Sequence, residues 1–400
     1  METGRPPVFS LLSRTDGMNN QEPLIRLLAD LVAIPSMNPM GRDRSGAEYS
    51  EERLAAYVSD YLHRSSIEVN TYKVAPHRPN VIGSVDAGAE HTVMLEAHLD
   101  TVHADNMTID PFHPTIDDGK LFGRGACDTK ASLAAFMHTT ASLAQNPRAL
   151  KYNIVLAAVS DEEYSFTGAR RAVENGLKAD FGIVGEPTKL RIVRAHKGVL
   201  RWKIVTKGRA AHSAYPDRGD NAIYTMGHIL TRLDKYGLAL MQQPPQGELG
   251  TPTLSVGVIE GGQAVNIVPD RCRIEIDRRT LPGETEDEIL QSVRHVLREV
   301  PNWEFEPPHI FIGGMEVPED HPFVERLAAA INERTGGCIL ETAQYATNAG
   351  VYNKSGIPTI VFGPGDIAQA HTSAEFVEID QVIRCSEILA RFFTAALSLE

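Results

Sequence analysis

Two histidines and several carboxylates stand at the ends of apolar runs in this chain. After "VMLEA" come His98 and Asp100; after "NIVLAAVS" come Asp161, Glu162 and Glu163; after "FGIVG" comes Glu186. His371 follows "PTIVFGPGDIAQA", and Asp128, in "GRGACDTK", precedes a helical pattern. No cysteine joins the group, so the available donors are imidazole and carboxylate, a set suited to Zn2+, Co2+ or Mn2+. His98 and Asp100 share one face of an extended segment. Asp100 is therefore expected to accept a hydrogen bond from the imidazole nitrogen that does not face a metal, which fixes the tautomer. Two adjacent glutamates repel each other unless a cation offsets them. One as a metal ligand and the other as a free carboxylate would supply a general base for a metal-activated water. Asp161 has no such role and reads as part of a solvated turn.

These residues need a scaffold that brings strand ends together. The apolar runs 91–98, 153–160, 181–185 and 358–363 alternate with helical segments such as "TKASLAAFMHTTASLAQN". That alternation predicts an α/β fold with a mostly parallel sheet, in which ligands bind beyond the carboxyl ends of the strands. An opening helix carries Leu24, Leu27, Leu28, Leu31 and Val32 on one stripe, and prolines and a glycine in "IPSMNPMG" end it. From 196 to 304 the texture changes to strand, helix, two strands and helix. The alternation in "RCRIEID" suits a sheet with one solvated face. We expect residues 1–20 to be a loose N-terminal extension. The catalytic domain is expected over 21–195 and 305–400, interrupted by an inserted α+β domain over 196–304.

Composition bounds the function. The 400 residues are 42% hydrophobic and 23% charged, as in a globular chain long enough for two domains. A net charge of −13 argues against nucleic acid or an anionic membrane as partner. Cys127, Cys272, Cys338 and Cys385 are widely spaced and form no CxxC pair, which fits neither a disulfide framework nor a thiolate zinc site. With no signal-peptide h-region and no membrane-length apolar run, a cytoplasmic location is expected. "GRG" and "GPG" read as turns, because no GxxxxGK[ST] is present, and no G-x-S-x-G elbow occurs. His103 and His113 read as structural, or at most near the substrate.

The motifs "HLDTVHAD", "GRGACDTK", "SDEEYSFTGA", "GEPT", "GRAAHSAYPDRGDNAI" and "GPGDIAQAHTSAEF" resemble, in order and spacing, the dinuclear metallo-amidohydrolases. That family includes acetylornithine deacetylase, succinyl-diaminopimelate desuccinylase, aminoacylase and glutamate carboxypeptidases, and the resemblance runs from about residue 22 onward. It implies a metallopeptidase-like α/β catalytic domain with an inserted, ferredoxin-like lid that dimerises. It also implies two divalent ions, zinc first and cobalt second. One would be held by His98, Asp128 and Glu186, the other by Asp128, Glu163 and His371, with a water or hydroxide between them. Glu162 would be the general base, Asp100 the residue orienting His98, and His212 an oxyanion donor in its own or the partner subunit's site. Asn266 and Arg279 match positions that contact the substrate, and the adjacent Arg278 should point to the opposite face. The pattern departs from the family in three places: "CDTK" replaces a frequent D-M-K form, Ala374 stands where an acidic residue is usual, and Asn348 in "YATNAG" replaces an acid near the substrate end.

The implied reaction is metal-dependent hydrolysis of an amide in a small N-acyl-amino acid, N-acetylornithine foremost. Desuccinylation of succinyl-diaminopimelate and carboxypeptidase or dipeptidase action are the alternatives. A metal-binding homologue without catalysis is the non-enzymatic one.

Overall fold

The computed structural model describes residues 21–395; the expected extension over 1–20 lies outside the described residues. The opening helix, Glu22–Val32, has Pro23 in its first turn and buries Leu24, Leu27, Leu28, Leu31 and Val32, the stripe that its spacing predicts.

The large sheet is parallel at its centre and antiparallel at its flanks. Its central strands are Asn153–Val159, Thr92–His98, Phe181–Val184 and Thr359–Val361, in that order. The register sets His98 beside Val159, Glu96 beside Val184 and Val184 beside Val361. The strands therefore end nearly level, and the residues that follow them meet along one edge. An antiparallel hairpin, Glu68–Ala75 and Arg78–Val85, extends the sheet on one side. On the other side Ile192–His196 is flanked by Met315–Glu316 and Leu340–Ala343. One face packs under helices that include Glu22–Val32, Lys130–Leu143 and Ile379–Thr394. The other lies under Thr167–Glu174 and Ala349–Lys354. Burial on both faces is why these strands read as continuous apolar runs.

A second, four-stranded antiparallel sheet has the order Thr253–Gly261, Arg271–Thr280, Gly198–Lys207, Trp303–Ile312. Leu200, Trp202 and Ile204 alternate inward against Met226 and Ile229 of helix Ala222–Met241 and Val293 of helix Glu286–Leu297. Thr285 and Glu288 close a capping box on the second helix. The boundary expected at 304/305 falls inside the edge strand Trp303–Ile312, which pairs with Gly198–Lys207 from Trp303↔Thr206 to Ile312↔Val199. Pro307 and Pro308 obscure this strand in the sequence. They occupy the register shift between Glu306 and Ile310, a place where an edge strand tolerates proline. No helix among the described residues is long and apolar enough to cross a membrane.

Candidate metal centre and active site

The central strand ends bring their residues together around one cavity. Asp128, Glu162, Glu163, Glu186 and His371 line it, with Arg201 and Arg279 of the second sheet opposite. His98 lies buried beneath. Its Nε2 stands 3.1 Å from Asp128 Oδ1 and 3.9 Å from Glu186 Oε1. His371 Nε2 stands 3.3 Å from Asp128 Oδ2 and 3.3 Å from Glu163 Oε2. Asp128 thus turns one oxygen toward each imidazole, as a bridging carboxylate does. Two sets of donor atoms lie within 4.8 Å of one another: His98, Glu162 and Glu186, and His98, Asp128 and Glu163.

The adjacent glutamates converge because the turn carrying them is pinned from behind. Asp100 Oδ1 accepts from the backbone N–H of Glu162 and its Oδ2 from that of Glu163, both at 3.0 Å. The Asp100 carboxylate also stands beside His98, as its spacing suggests, but a second group of the same residue lies nearer. His98 Nδ1 lies 2.9 Å from the backbone carbonyl of Asp100, whereas Asp100 Oδ1 is 3.5 Å away. The carbonyl selects the tautomer with the proton on Nδ1, and the carboxylate shapes the Glu162–Glu163 turn. Asp161 is not solvated as its sequence context suggested. It is buried with φ of 66°, accepts from Asn38 Nδ2 at 2.8 Å and takes the Ser165 hydroxyl. Asn38 also donates to Asp100 at 2.8 Å, so one amide ties the two aspartates together. Gly168 lets the following helix close on this turn, since a Cβ there would lie 2.1 Å from the Ser160 carbonyl.

The residue that the sequence reading missed is Glu375. Next to Ala374, it supplies the acid that seemed absent. Its buried carboxylate accepts from Arg124 Nη1 at 2.7 Å and from the backbone N–H groups of Gly125, Cys127 and Asp128 at 3.0, 2.9 and 3.0 Å. It therefore holds the loop that presents Asp128. Asn348 does not face the substrate end: it is buried, and its Nδ2 donates to Glu96 Oε1 at 3.1 Å below the site. The neighbouring Thr347 lines the cavity instead.

The electrostatics suit cations. Burial, reinforced by neighbouring carboxylates, pushes Glu162 and Glu186 well above the usual range and Glu163 to about 6. Burial also acts on Asp128, but the imidazoles of His371 and His98 outweigh it and hold Asp128 low. Asp128 and Glu163 in turn raise His371 to about 11. Against its burial, Asp100 and Asp128 hold His98 above its ordinary value, so only a cation would let its Nε2 turn a lone pair toward the centre, and buried Glu163 Oε1 has no hydrogen-bond partner. Divalent cations satisfy both features and remove the carboxylate repulsion, so the donor set fits two metal ions.

The remaining candidates separate. Arg279 lines the cavity, while Arg278 is buried against Glu284 at 2.6 Å on the opposite face, as expected. His212 and Asn266 lie together on an exposed rim, where Ser213 N–H donates to the Asn266 carbonyl at 3.0 Å and His212 pairs with Ile267. Neither lines this chain's own cavity. His103 packs beside Tyr49 and His113 is exposed; neither lines the cavity.

Residues 94–395 match the model of Peptidase family M20/M25/M40. The chain belongs to this family. It is 36% identical over 305 residues to an acetylornithine deacetylase of Myxococcus xanthus, covering 74% of this chain and 78% of that one. It is 32% identical over 389 residues to the acetylornithine deacetylase of Edwardsiella ictaluri, covering 94% and 98%. Among solved structures, an M20 family metallo-carboxypeptidase of Sulfolobus solfataricus superposes with a TM-score of 0.77 at 19% identity, over 92% of this chain and 98% of that one. A dinuclear metal-binding M20 peptidase of Bacillus subtilis gives 0.68 at 20% identity, over 93% and 97%. The M20 chain described here is an amidohydrolase with the family's two-part α/β fold.

Proposed function

We propose that this enzyme removes the acyl group from an N-acyl-amino acid, a small-molecule substrate. The carrying observation is Asp128 standing between two imidazoles with Glu162 and Glu163 beside it. The names of the curated relatives make N-acetylornithine the first substrate to test. His98, Asp128 and Glu186 would hold one divalent ion and Asp128, Glu163 and His371 the other, zinc first and cobalt second. Such ions supply Lewis acidity for the scissile carbonyl and for water.

The protein groups do the rest. Glu162 takes a proton from the attacking water onto a carboxylate oxygen and passes it to the amine nitrogen as the C–N bond breaks. Asp100 and Asn38 keep that carboxylate aimed at the centre by fixing its backbone. Arg279 pairs with the substrate carboxylate. His212 and Asn266, exposed on the rim of the second sheet, serve the site of a second subunit, where His212 donates to the developing oxyanion. The homodimer this requires forms through the inserted domain. It is supported by exposed Tyr224, Ile259 and Val265 and by the edge strand Thr253–Gly261, whose outer side pairs with no strand among the described residues.

The test is amine release from a panel of N-acyl-amino acids by enzyme stripped with a strong chelator and reloaded with Zn2+ or Co2+. Turnover of at least one member, lost on stripping and restored on reloading, is expected. Turnover of none by the reloaded enzyme, or full activity after stripping, refutes the reading.

A further inference from the structure

The second sheet presents a built cationic wall to the cavity. Arg201 and Asp277 are cross-strand neighbours, and Arg279 lies two residues beyond Asp277, so the three share one sheet face. Asp277 divides its carboxylate between the arginines: Oδ2 accepts from Arg201 Nε at 2.8 Å and Oδ1 from Arg279 Nε at 2.9 Å. Each guanidinium is anchored through Nε alone among the described residues, which leaves both Nη groups of each for a ligand. Their side chains are 37% and 32% exposed, enough for a ligand to reach them.

Charge then selects the ligand. The carboxylates lining the cavity are Asp128, Glu162, Glu163 and Glu186, all four in the metal centre. Two guanidiniums against Asp277 leave the facing wall with a net positive charge. A cationic side chain such as ornithine's would meet only Asp277, already shared by two guanidiniums, whereas a second carboxylate would meet a second guanidinium fork. We propose that Arg201 is a specificity-determining residue which, beside Arg279, selects N-acyl-amino acids bearing two carboxylates. Arg279 takes the α-carboxylate and Arg201 the other. The inference rests on the acyl-amino-acid reading above and departs from it over the side chain. The second carboxylate can belong to the amino acid or to the acyl group.

Two substrate pairs distinguish these sources: N-acetylglutamate against N-acetylglutamine, and N-succinylalanine against N-butyrylalanine, with N-acetylornithine alongside. In the wild type, kcat/KM for the dicarboxylate of at least one pair should exceed that of its neutral partner by about 10-fold or more, carried by KM. Arg201→Gln should erase that preference, and Arg201→Lys should keep part of it because it retains charge without the fork. The responding pair identifies the end of the substrate that Arg201 holds. No preference in either pair, or a preference unchanged in Arg201→Gln, overturns the proposal. If no acyl-amino acid is hydrolysed, the broader reading fails but this one is still decided. Calorimetry on the metal-loaded protein should then show N-acetylglutamate or N-succinylalanine binding about 10-fold more weakly to Arg201→Gln, and equal binding of both overturns it.

Discussion

Replacing Glu375 by glutamine tests how the metal centre is held without touching a candidate ligand. The Glu375 carboxylate serves four donors: Oε2 receives Arg124 Nη1 and Gly125 N–H, and Oε1 receives Cys127 and Asp128 N–H. Glutamine keeps one oxygen, so two of these donors stay satisfied and its own NH2 group confronts the other two. Each buried N–H left unpaired costs about 1–3 kcal/mol. Arg124, itself buried, also loses its counter-charge, and breaking such a pair costs about 3–5 kcal/mol. These costs overlap as the loop relaxes, so a loss of about 3 kcal/mol or more in unfolding free energy is expected. The same relaxation moves Asp128, whose oxygens face His98 and His371, and affinity for divalent metal should fall about 10- to 100-fold. Urea unfolding of the metal-free proteins measures the first effect, and competition with a chromophoric chelator the second. A Glu375→Gln protein that unfolds at the wild-type urea midpoint and holds metal as tightly as the wild type refutes the assignment.

Glu162→Gln should cut turnover by about 100- to 10,000-fold while metal analysis still finds both ions; retained activity removes the base assignment. Val265→Asp together with Tyr224→Asp should convert a dimer to a monomer in light scattering and abolish turnover, because His212 would then have no second site to serve. An active monomer refutes that role. His196 is buried, with Nδ1 2.9 Å from the Lys197 carbonyl and Nε2 3.1 Å from Thr347 Oγ1, and burial lowers its pKa from 6.5 to about 4. Below pH 6.5 the unfolded chain takes up a proton that the folded one refuses. The stability present above pH 6.5 therefore drains away as the pH falls to about 4, by roughly 3 kcal/mol. Unfolding midpoints of the wild type and His196→Gln should converge over that window, and parallel curves refute the assignment.

The sequence reading reached what periodicity and strand-end chemistry encode. The four apolar runs are the central strands, and the residues after them meet, because a parallel sheet in register aligns its carboxyl ends. What it missed lies in features that no local pattern carries. Trp303–Ile312 hid behind two prolines because only its edge position and register shift tolerate them. Glu375 hid because the donors it satisfies lie about 250 positions away in sequence. Asp161 looked solvated because its partner Asn38 lies 123 positions away, and no local pattern marks Ser165, four residues on, as the other.

Asp100 makes the most instructive case. Spacing alone put His98 and Asp100 on one face, and a carboxylate–imidazole pair was the natural inference. His98 Nδ1 lies 2.9 Å from the Asp100 backbone carbonyl and 3.5 Å from Asp100 Oδ1, while the two carboxylate oxygens also hold the N–H groups of Glu162 and Glu163. One residue thus sets the tautomer of a candidate ligand and the direction of both glutamates. This explains how two like charges, adjacent in sequence, can be turned toward a single centre. The repulsion between them is accepted because the turn is anchored from behind by Asp100, itself tied to Asp161 through Asn38. Cations held in front, at the proposed donor set of His98, Asp128, Glu163, Glu186 and His371, would then offset the charge. Asp100→Asn would keep the carbonyl for His98 but set an NH2 group against one of the two backbone donors. Its damage should therefore fall on the glutamate turn and on turnover before it falls on the His98 tautomer.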